Sequence, residues 1–226
     1  LFAGHSLGEF TALYCSGAVS FDDALKLVIK RSELMRDAAK SQKGSIMVAF
    51  ADANTSALHI KESGISDIWV ANKNSPAQTA VSGREESVDK FCEYLKSKGV
   101  TFTKLKLSGA FHTPMFNSAA EGLAKELASV KIDVTKAVRI VSNVTAKPYP
   151  ADESAIKDLL KKQMVSPVEF VESIANIKKA GVNTLIEAGP GRLLCNLVSK
   201  METSFNDVIA SVDPKKGEAA STAAAL

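Results

Sequence analysis

Ser6 stands at the centre of Gly4-His5-Ser6-Leu7-Gly8, with the apolar Leu1-Phe2-Ala3 before it and Glu9-Phe10 after it. An apolar strand end, a tight turn on Gly-x-Ser-x-Gly and a helix start make a nucleophile elbow, which pushes the serine out at the strand–helix junction. So sharp a turn leaves no room for side chains beside the serine, so glycine is expected at Gly4 and Gly8. The first amides of the following helix point toward whatever Ser6 attacks. The amide of Leu7 is then one half of an oxyanion hole. A serine hydroxyl also needs a base, and the chain has three histidines. His5 adjoins the nucleophile and faces away from it in the turn. His59 lies in a helix of a separate subdomain. His112, in Ser108-Gly109-Ala110-Phe111-His112-Thr113-Pro114, sits at a strand-to-helix loop tip, and by elimination it is the general base.

A second anomaly lies in the helix that begins at Ser20-Phe21-Asp22-Asp23, a capping-box-like start. Its apolar face is Ala24, Leu27, Val28, Leu34, Met35 and Ala38 at helical spacing, and Arg31 falls on that same face. An unpaired guanidinium buried there would cost several kcal/mol. Either Arg31 snorkels or pairs with an internal carboxylate, or its partner is a substrate carboxylate held bidentately. The pattern alone leaves both open.

The elements that must position these residues read as an α/β chain. A helix spans about 7–15 and the Arg31 helix follows. From Gly44 to Leu107 the order is strand (45–51), helix (55–63), strand (68–72), strand (78–82), helix (85–98), strand (101–107). That βαββαβ order is ferredoxin-like, and the unit, 44–106, reads as an insertion entered through Lys40-Ser41-Gln42-Lys43. The remainder, 1–40 and 107–213, forms the large domain. In it Thr113-Pro114 opens a helix to about Ser129, 138–144 is a strand, and 154–164 is a helix. Ser166-Pro167 starts another helix that ends at Gly181, and 184–187 is a strand. Gly189-Pro190-Gly191 lacks the spacing of a nucleotide loop and reads as a structural turn. A last strand covers 207–212. The alanine-rich 214–226 is expected to be a disordered tail.

Composition narrows the function classes. The chain has 226 residues, 46% hydrophobic and 23% charged, as globular domains do. A net charge of +3 is too weak to argue for nucleic acid. No apolar run is long enough to span a bilayer. Cys15, Cys92 and Cys195 are far apart and odd in number. They imply neither a disulfide framework nor a metal site, and they point to a reducing, cytoplasmic compartment. The chain opens at Leu1 in mid-strand and reads as a fragment lacking a natural N-terminal segment.

Gly4-His5-Ser6-Leu7-Gly8-Glu9, Arg31 at its distance behind, Asn74-Ser75-Pro76-x-Gln78, Val81-Ser82-Gly83, Gly109-Ala110-Phe111-His112 and Glu187-x-Gly189-Pro190-Gly191 occur in one order. That order resembles the malonyl-CoA:acyl-carrier-protein transacylase family, which includes the acyltransferase domains of polyketide synthases. The resemblance implies an α/β-hydrolase-like large domain with a ferredoxin-like insertion. It implies transfer of a malonyl group from malonyl-CoA to the phosphopantetheine thiol of an acyl carrier protein, in fatty acid or polyketide synthesis, without a bound cofactor or metal. Position by position, Ser6 matches the nucleophile, His112 its base and Arg31 the arginine that binds the malonyl carboxylate. The amide of Leu7 matches an oxyanion donor. Gln163 matches the residue whose main-chain carbonyl orients the histidine. Phe111 matches a position associated with malonyl selection through its bulk. In one respect the sequence departs from the family. The glycine- and glutamine-containing loop that supplies the family's other oxyanion donor has no counterpart here, and losing one donor lowers rates about 10²–10³-fold.

Two other readings compete. An α/β-hydrolase esterase or thioesterase places its triad in the order Ser, Asp or Glu, then a late His. The last 114 residues contain no histidine, and Arg31 would have no purpose. A non-catalytic carrier-protein docking module is the third.

Overall fold

The computed structural model describes residues 1–212. The expected tail over 214–226 lies outside the described residues. By internal contacts the chain divides into two compact units, 1–173 and 174–226.

In the first unit, strand β1 (Phe2–Ala3) runs into helix α1 (Leu7–Cys15) and then α2 (Phe21–Ser41). Ser20 caps α2 by accepting from the Asp23 amide at 3.1 Å. Its hydroxyl donates in turn to the Asp23 carboxylate at 2.7 Å. Next come β2 (Gly44–Ala49), α3 (Ala53–Ser63), β3 (Ile68–Ser75), β4 (Gln78–Arg84), α4 (Glu85–Ser97) and β5 (Phe102–Ser108). These strands form one sheet in the order β3-β4-β2-β5, every neighbour antiparallel. The reason is visible in burial. β2 is buried along its whole length, as a central strand must be. α4 lays Val88, Phe91 and Leu95 on Met47, Ile68 and Val81 to make a small separate core. The two ends of this segment meet, since the Gly109 amide donates to Gly44 O at 2.9 Å.

After β5 the chain makes a short 3₁₀ turn at Pro114–Phe116, which passes into α5 (Asn117–Ser129). Thr113 stands at the N-cap, but its hydroxyl bonds Ala110 O at 2.6 Å and not the helix amides, so the helix opens tight. Then follow α6 (Val134–Ala137), β6 (Ile140–Val141), α7 (Glu153–Gln163) and α8 (Phe170–Lys179). β6 pairs in parallel with β1. The main core gathers Phe10, Leu13, Leu27, Phe116, Leu123 and Leu160 from α1, α2, α5 and α7. The strand expected over 138–144 shrinks to two residues. Lys136–Arg139 still belong to a helical turn, and at Ser142 the chain doubles back, with the Ser142 amide bonded to Lys147 O. The helix expected at Ser166 begins at Phe170. Residues before it run extended beside β3, where the Lys73 amide donates to Val168 O and the Val168 amide to Ala71 O, each at 2.9 Å.

The second unit carries most of α8, then β7 (Thr184–Pro190), α9 (Leu193–Val198) and β8 (Asp207–Val212), with β7 and β8 parallel. Glu187 accepts the amides of Leu194 and Cys195 at 3.0 and 2.9 Å, a carboxylate at the positive end of α9. Gly189 and Gly191 both have positive φ, 140° and 99°, which fits a structural turn. No helix among the described residues is long and apolar enough to cross a membrane.

Candidate active site

The elbow is built as its glycines suggest, with one difference. A Cβ on Gly4 would lie 1.9 Å from the carbonyl carbon of Gly8, so the first turn of α1 rests directly on Gly4. A Cβ on Gly8 would meet nothing within 4 Å, so packing inside the chain does not demand that second glycine. We expect Gly4→Ala to destabilise the fold by about 1–3 kcal/mol or more, because backbone must move. Denaturant midpoints check this, and an unchanged midpoint would mean the elbow is looser than its geometry indicates.

Ser6 has φ 53° and ψ −106°, a backbone that residues other than glycine rarely adopt. Such strain costs about 1–3 kcal/mol and persists only when neighbours hold it. The holder is Asn143, in the loop after β6. Its Oδ1 accepts the Ser6 amide at 2.7 Å, and its Nδ2 donates to Gly4 O at 2.6 Å. That is why β6 stops short, since the chain must turn for Asn143 to reach the elbow. The Leu7 amide at the start of α1 has no acceptor among the described residues, and it stays available to a developing oxyanion.

His112 reaches Ser6 from the loop after β5. Its φ is 59°, so base and nucleophile both sit on left-handed backbone at strand-to-helix turns. The Ser6 hydroxyl and His112 Nε2 are 2.8 Å apart, and His112 Nδ1 lies 2.8 Å from the Gln163 carbonyl oxygen. A carbonyl only accepts, so Nδ1 carries the proton and Nε2 is left to take the serine's. Burial pushes His112 down to about 4 from its ordinary 6.5; the Gln163 bond opposes this, and the Arg31 charge adds to it. The imidazole is therefore neutral at physiological pH, with Nε2 unprotonated and able to accept the serine's proton. The sign follows directly. Acylation needs the neutral form, so its rate should hold its plateau down to about pH 5 and fall only as pH approaches 4. Single-turnover acylation against pH measures this. A limb near 6.5 would contradict the burial of His112.

Arg31 is the third member. It is 5% exposed, on the inner face of α2, over the Phe10 ring at 5.5 Å. Its guanidinium NH2 donates to Ser6 Oγ at 2.9 Å and reaches Gln163 Oε1 at 3.4 Å. Its buried Nε has no hydrogen-bond partner. Burial lowers its pKa to about 10, which the Glu9 charge partly offsets, so Arg31 stays cationic at neutral pH. Snorkelling to water is thus not what Arg31 does.

Gln163 is at the end of α7, and its carbonyl holds His112 as expected. Its side chain does more. Nε2 donates to Ser6 O and to Glu9 Oε2, each at 2.8 Å. Phe111 is half-buried. Its ring packs on Phe116 at 5.2 Å and, with Ser32, Met35, Arg36 and Ala39, lines a cavity of about 630 Å³ along α2. No ring contact or hydrogen bond joins it to Ser6 or Arg31 among the described residues. His5 turns from the nucleophile, bonding Asn74 Oδ1 at 2.9 Å and meeting Phe170 edge-on.

Three residues escape a reading of the sequence. Asn143, Tyr149 and Glu9 close the network behind the elbow. Glu9 is completely buried, accepting the Asn143 amide at 3.0 Å and the Tyr149 hydroxyl. Ser6-x-x-Glu9 has the spacing of a capping box. The Ser6 hydroxyl makes no cap bond, so the resemblance to a cap misleads, and an acid in the otherwise apolar α1 is the true signal.

Comparison with known proteins identifies the family of the chain. The family model described as the acyl transferase domain matches residues 1–219. The chain is 36% identical over 223 residues to the malonyl CoA-acyl carrier protein transacylase of Bacillus subtilis (strain 168), covering 96% of this chain and 69% of that protein. It is 33% identical over 222 residues to a polyunsaturated fatty acid synthase polypeptide of Thraustochytrium sp., covering 96% of this chain but only 8% of that much longer protein. The crystal structure of malonyl-CoA:acyl carrier protein transacylase from Xanthomonas oryzae pv. oryzae superposes with a TM-score of 0.90 at 30% identity, covering 99% of this chain and 70% of that one. With a mixed α/β fold shared with these structures and a family match along nearly its whole length, the chain belongs to the acyl transferase domain family, that of the malonyl CoA-acyl carrier protein transacylases.

Proposed function

We propose that this chain moves a malonyl group from malonyl-CoA to the phosphopantetheine thiol of an acyl carrier protein, through an ester on Ser6. The observation that carries the reading is Arg31. A buried guanidinium with an unpartnered Nε stands within hydrogen-bond reach of the nucleophile. A buried donor without a partner calls for an explanation, and a carboxylate on the acyl group supplies one, bidentate and charge-assisted. An esterase acting on neutral acyl groups has no use for it.

The two half reactions use the same atoms. Ser6 gives its proton to His112 Nε2 as Oγ attacks the thioester carbonyl. The oxyanion turns to the Leu7 amide. When the C–S bond breaks, coenzyme A leaves with the proton from His112. The carrier's thiol then gives its proton to His112 and attacks the Ser6 ester, and Ser6 Oγ leaves and takes that proton back. Serine, histidine and amide suffice, so the step needs no metal or bound cofactor. Phe111 would bear on acyl selection from the cavity side.

The architecture we propose with it is an α/β-hydrolase-like domain over 1–40 and 107–213, with a ferredoxin-like unit over 44–106 inserted. The β2-α3-β3-β4-α4-β5 order, the fully antiparallel sheet and the meeting of Gly44 with Gly109 support the insertion. Three unpaired cysteines support a cytoplasmic setting.

The test is incubation with malonyl-CoA and a holo acyl carrier protein. Malonyl on the carrier's thiol is the expected product. Free malonate at the same rate would make the chain a hydrolase. Carrier binding with neither product would make it a docking module.

A further inference from the structure

We propose that Glu9 is a positioning residue for acyl transfer: its buried carboxylate locks Gln163 and Asn143 in the places from which they hold His112 and the Ser6 backbone. This rests on the reading of Ser6 as the acylated nucleophile.

The carboxylate takes three donors, two from the loop between β6 and α7 and one from the end of α7. Oε1 accepts the Asn143 amide at 3.0 Å and the Tyr149 hydroxyl, and Oε2 accepts Gln163 Nε2 at 2.8 Å. Neither oxygen has a cation at salt-bridge distance among the described residues. Taking such a group fully out of water is costly, and its neighbours on α1 (Phe10, Ala12 and Leu13) are ordinary apolar core. Something other than packing must justify it.

The justification is the direction it imposes on Gln163. A side-chain amide can rotate by half a turn with little change of shape. Here both Nε2 hydrogens are committed, one to Glu9 and one to Ser6 O at 2.8 Å. Oε1 therefore faces the Arg31 guanidinium. In the flipped state the amide oxygen would confront the Glu9 carboxylate and the Ser6 carbonyl, and the NH2 would confront Arg31. Glu9 thus chooses the orientation, and with it the seat of the residue whose main-chain carbonyl fixes His112 at 2.8 Å. On its other oxygen it seats Asn143, which grips the amide of Ser6 and the carbonyl of Gly4. One group behind the elbow holds both reacting partners at their 2.8 Å separation.

Glu9→Gln keeps the volume but offers one acceptor oxygen where three donors converge. We expect kcat to fall about ten- to hundredfold, the size of a small misplacement of reacting groups, with KM for malonyl-CoA within about twofold. A fluorophosphonate carries no acyl carboxylate, so it reports on Ser6 and His112 without a substrate carboxylate paired to Arg31. Ser6 Oγ forms a bond to phosphorus, fluoride leaves, and His112 takes the proton. Its rate should fall in parallel. A folded Glu9→Gln chain with unchanged kcat overturns the inference. So does a lost kcat with an unchanged fluorophosphonate rate, which would place the effect on the acyl pocket. If Glu9→Gln does not fold, Tyr149→Phe decides. Removing one of three anchors should lower kcat about two- to fivefold at constant KM, and an unchanged kcat overturns the inference. A wild-type chain that never reacts with the fluorophosphonate would sink the Ser6 reading and this inference with it. A wild type that reacts, matched by Glu9→Gln, sinks the inference alone.

Discussion

His112→Ala slows acylation of Ser6 by malonyl-CoA at least 10²–10⁴-fold, the usual weight of a positioned general base. The reasons for expecting the upper end are specific to this site. A neutral serine hydroxyl is a weak nucleophile without a base beside it. The other group within reach of the Ser6 hydroxyl is the Arg31 guanidinium, a donor, and no second base among the described residues lies at hydrogen-bond distance. The substitution also leaves the Gln163 carbonyl without its His112 partner. Substrate binding should change little, since His112 faces the nucleophile and not the acyl carboxylate. Stopped-flow acylation with subsaturating and saturating malonyl-CoA separates the two effects. A near-normal rate in the variant would remove His112 from the mechanism.

Arg31→Ala changes the substrate more than the rate. The malonyl carboxylate loses a charge-assisted, bidentate partner in a buried setting, worth about 1.5–3 kcal/mol or more, so malonyl transfer should fall about ten- to a hundredfold or beyond. Acetyl-CoA has no carboxylate and should be spared. It should even improve, because a neutral acyl group would no longer enter against an unpaired guanidinium. Lysine should rescue only in part, keeping the charge and losing the planar fork. A second consequence follows from electrostatics. Arg31 helps to hold His112 below its ordinary pKa, so its removal should move the acid limb of acetyl transfer upward. The observable is the malonyl-to-acetyl ratio, which cancels any general loss of folded protein. An unchanged ratio with both rates lowered would make Arg31 a structural ion-pair partner.

Local chemistry made part of this legible. Gly4, Ser6 and the helix after them announce an elbow because so sharp a turn admits few residue types. Arg31 stands out because charge in an apolar stripe is expensive, and the anomaly survives into the structure as a buried cation touching the nucleophile. The βαββαβ order emerges from turn residues and periodicity within sixty-odd residues. What stayed hidden is long-range. Asn143 meets Glu9 across 134 residues, and Gln163 meets Ser6 across 157. No local pattern marks a polar side chain whose partners are that distant. Glu9 even carries the wrong signal, since its spacing from Ser6 imitates a helix cap. The strand expected over 138–144 failed for the same reason. Its residues are apolar enough to pair, but Asn143 is needed at the elbow and bends the chain away.

The most direct test is to locate the acyl group. The chain is mixed with malonyl-CoA, quenched in acid within the first turnovers, digested, and the peptide that contains Gly4-His5-Ser6-Leu7-Gly8 is sequenced by mass spectrometry. A malonyl ester on Ser6 is the predicted result, discharged when a holo acyl carrier protein is added before the quench. A malonyl group on another residue, or none anywhere while transfer to the carrier proceeds, would contradict it.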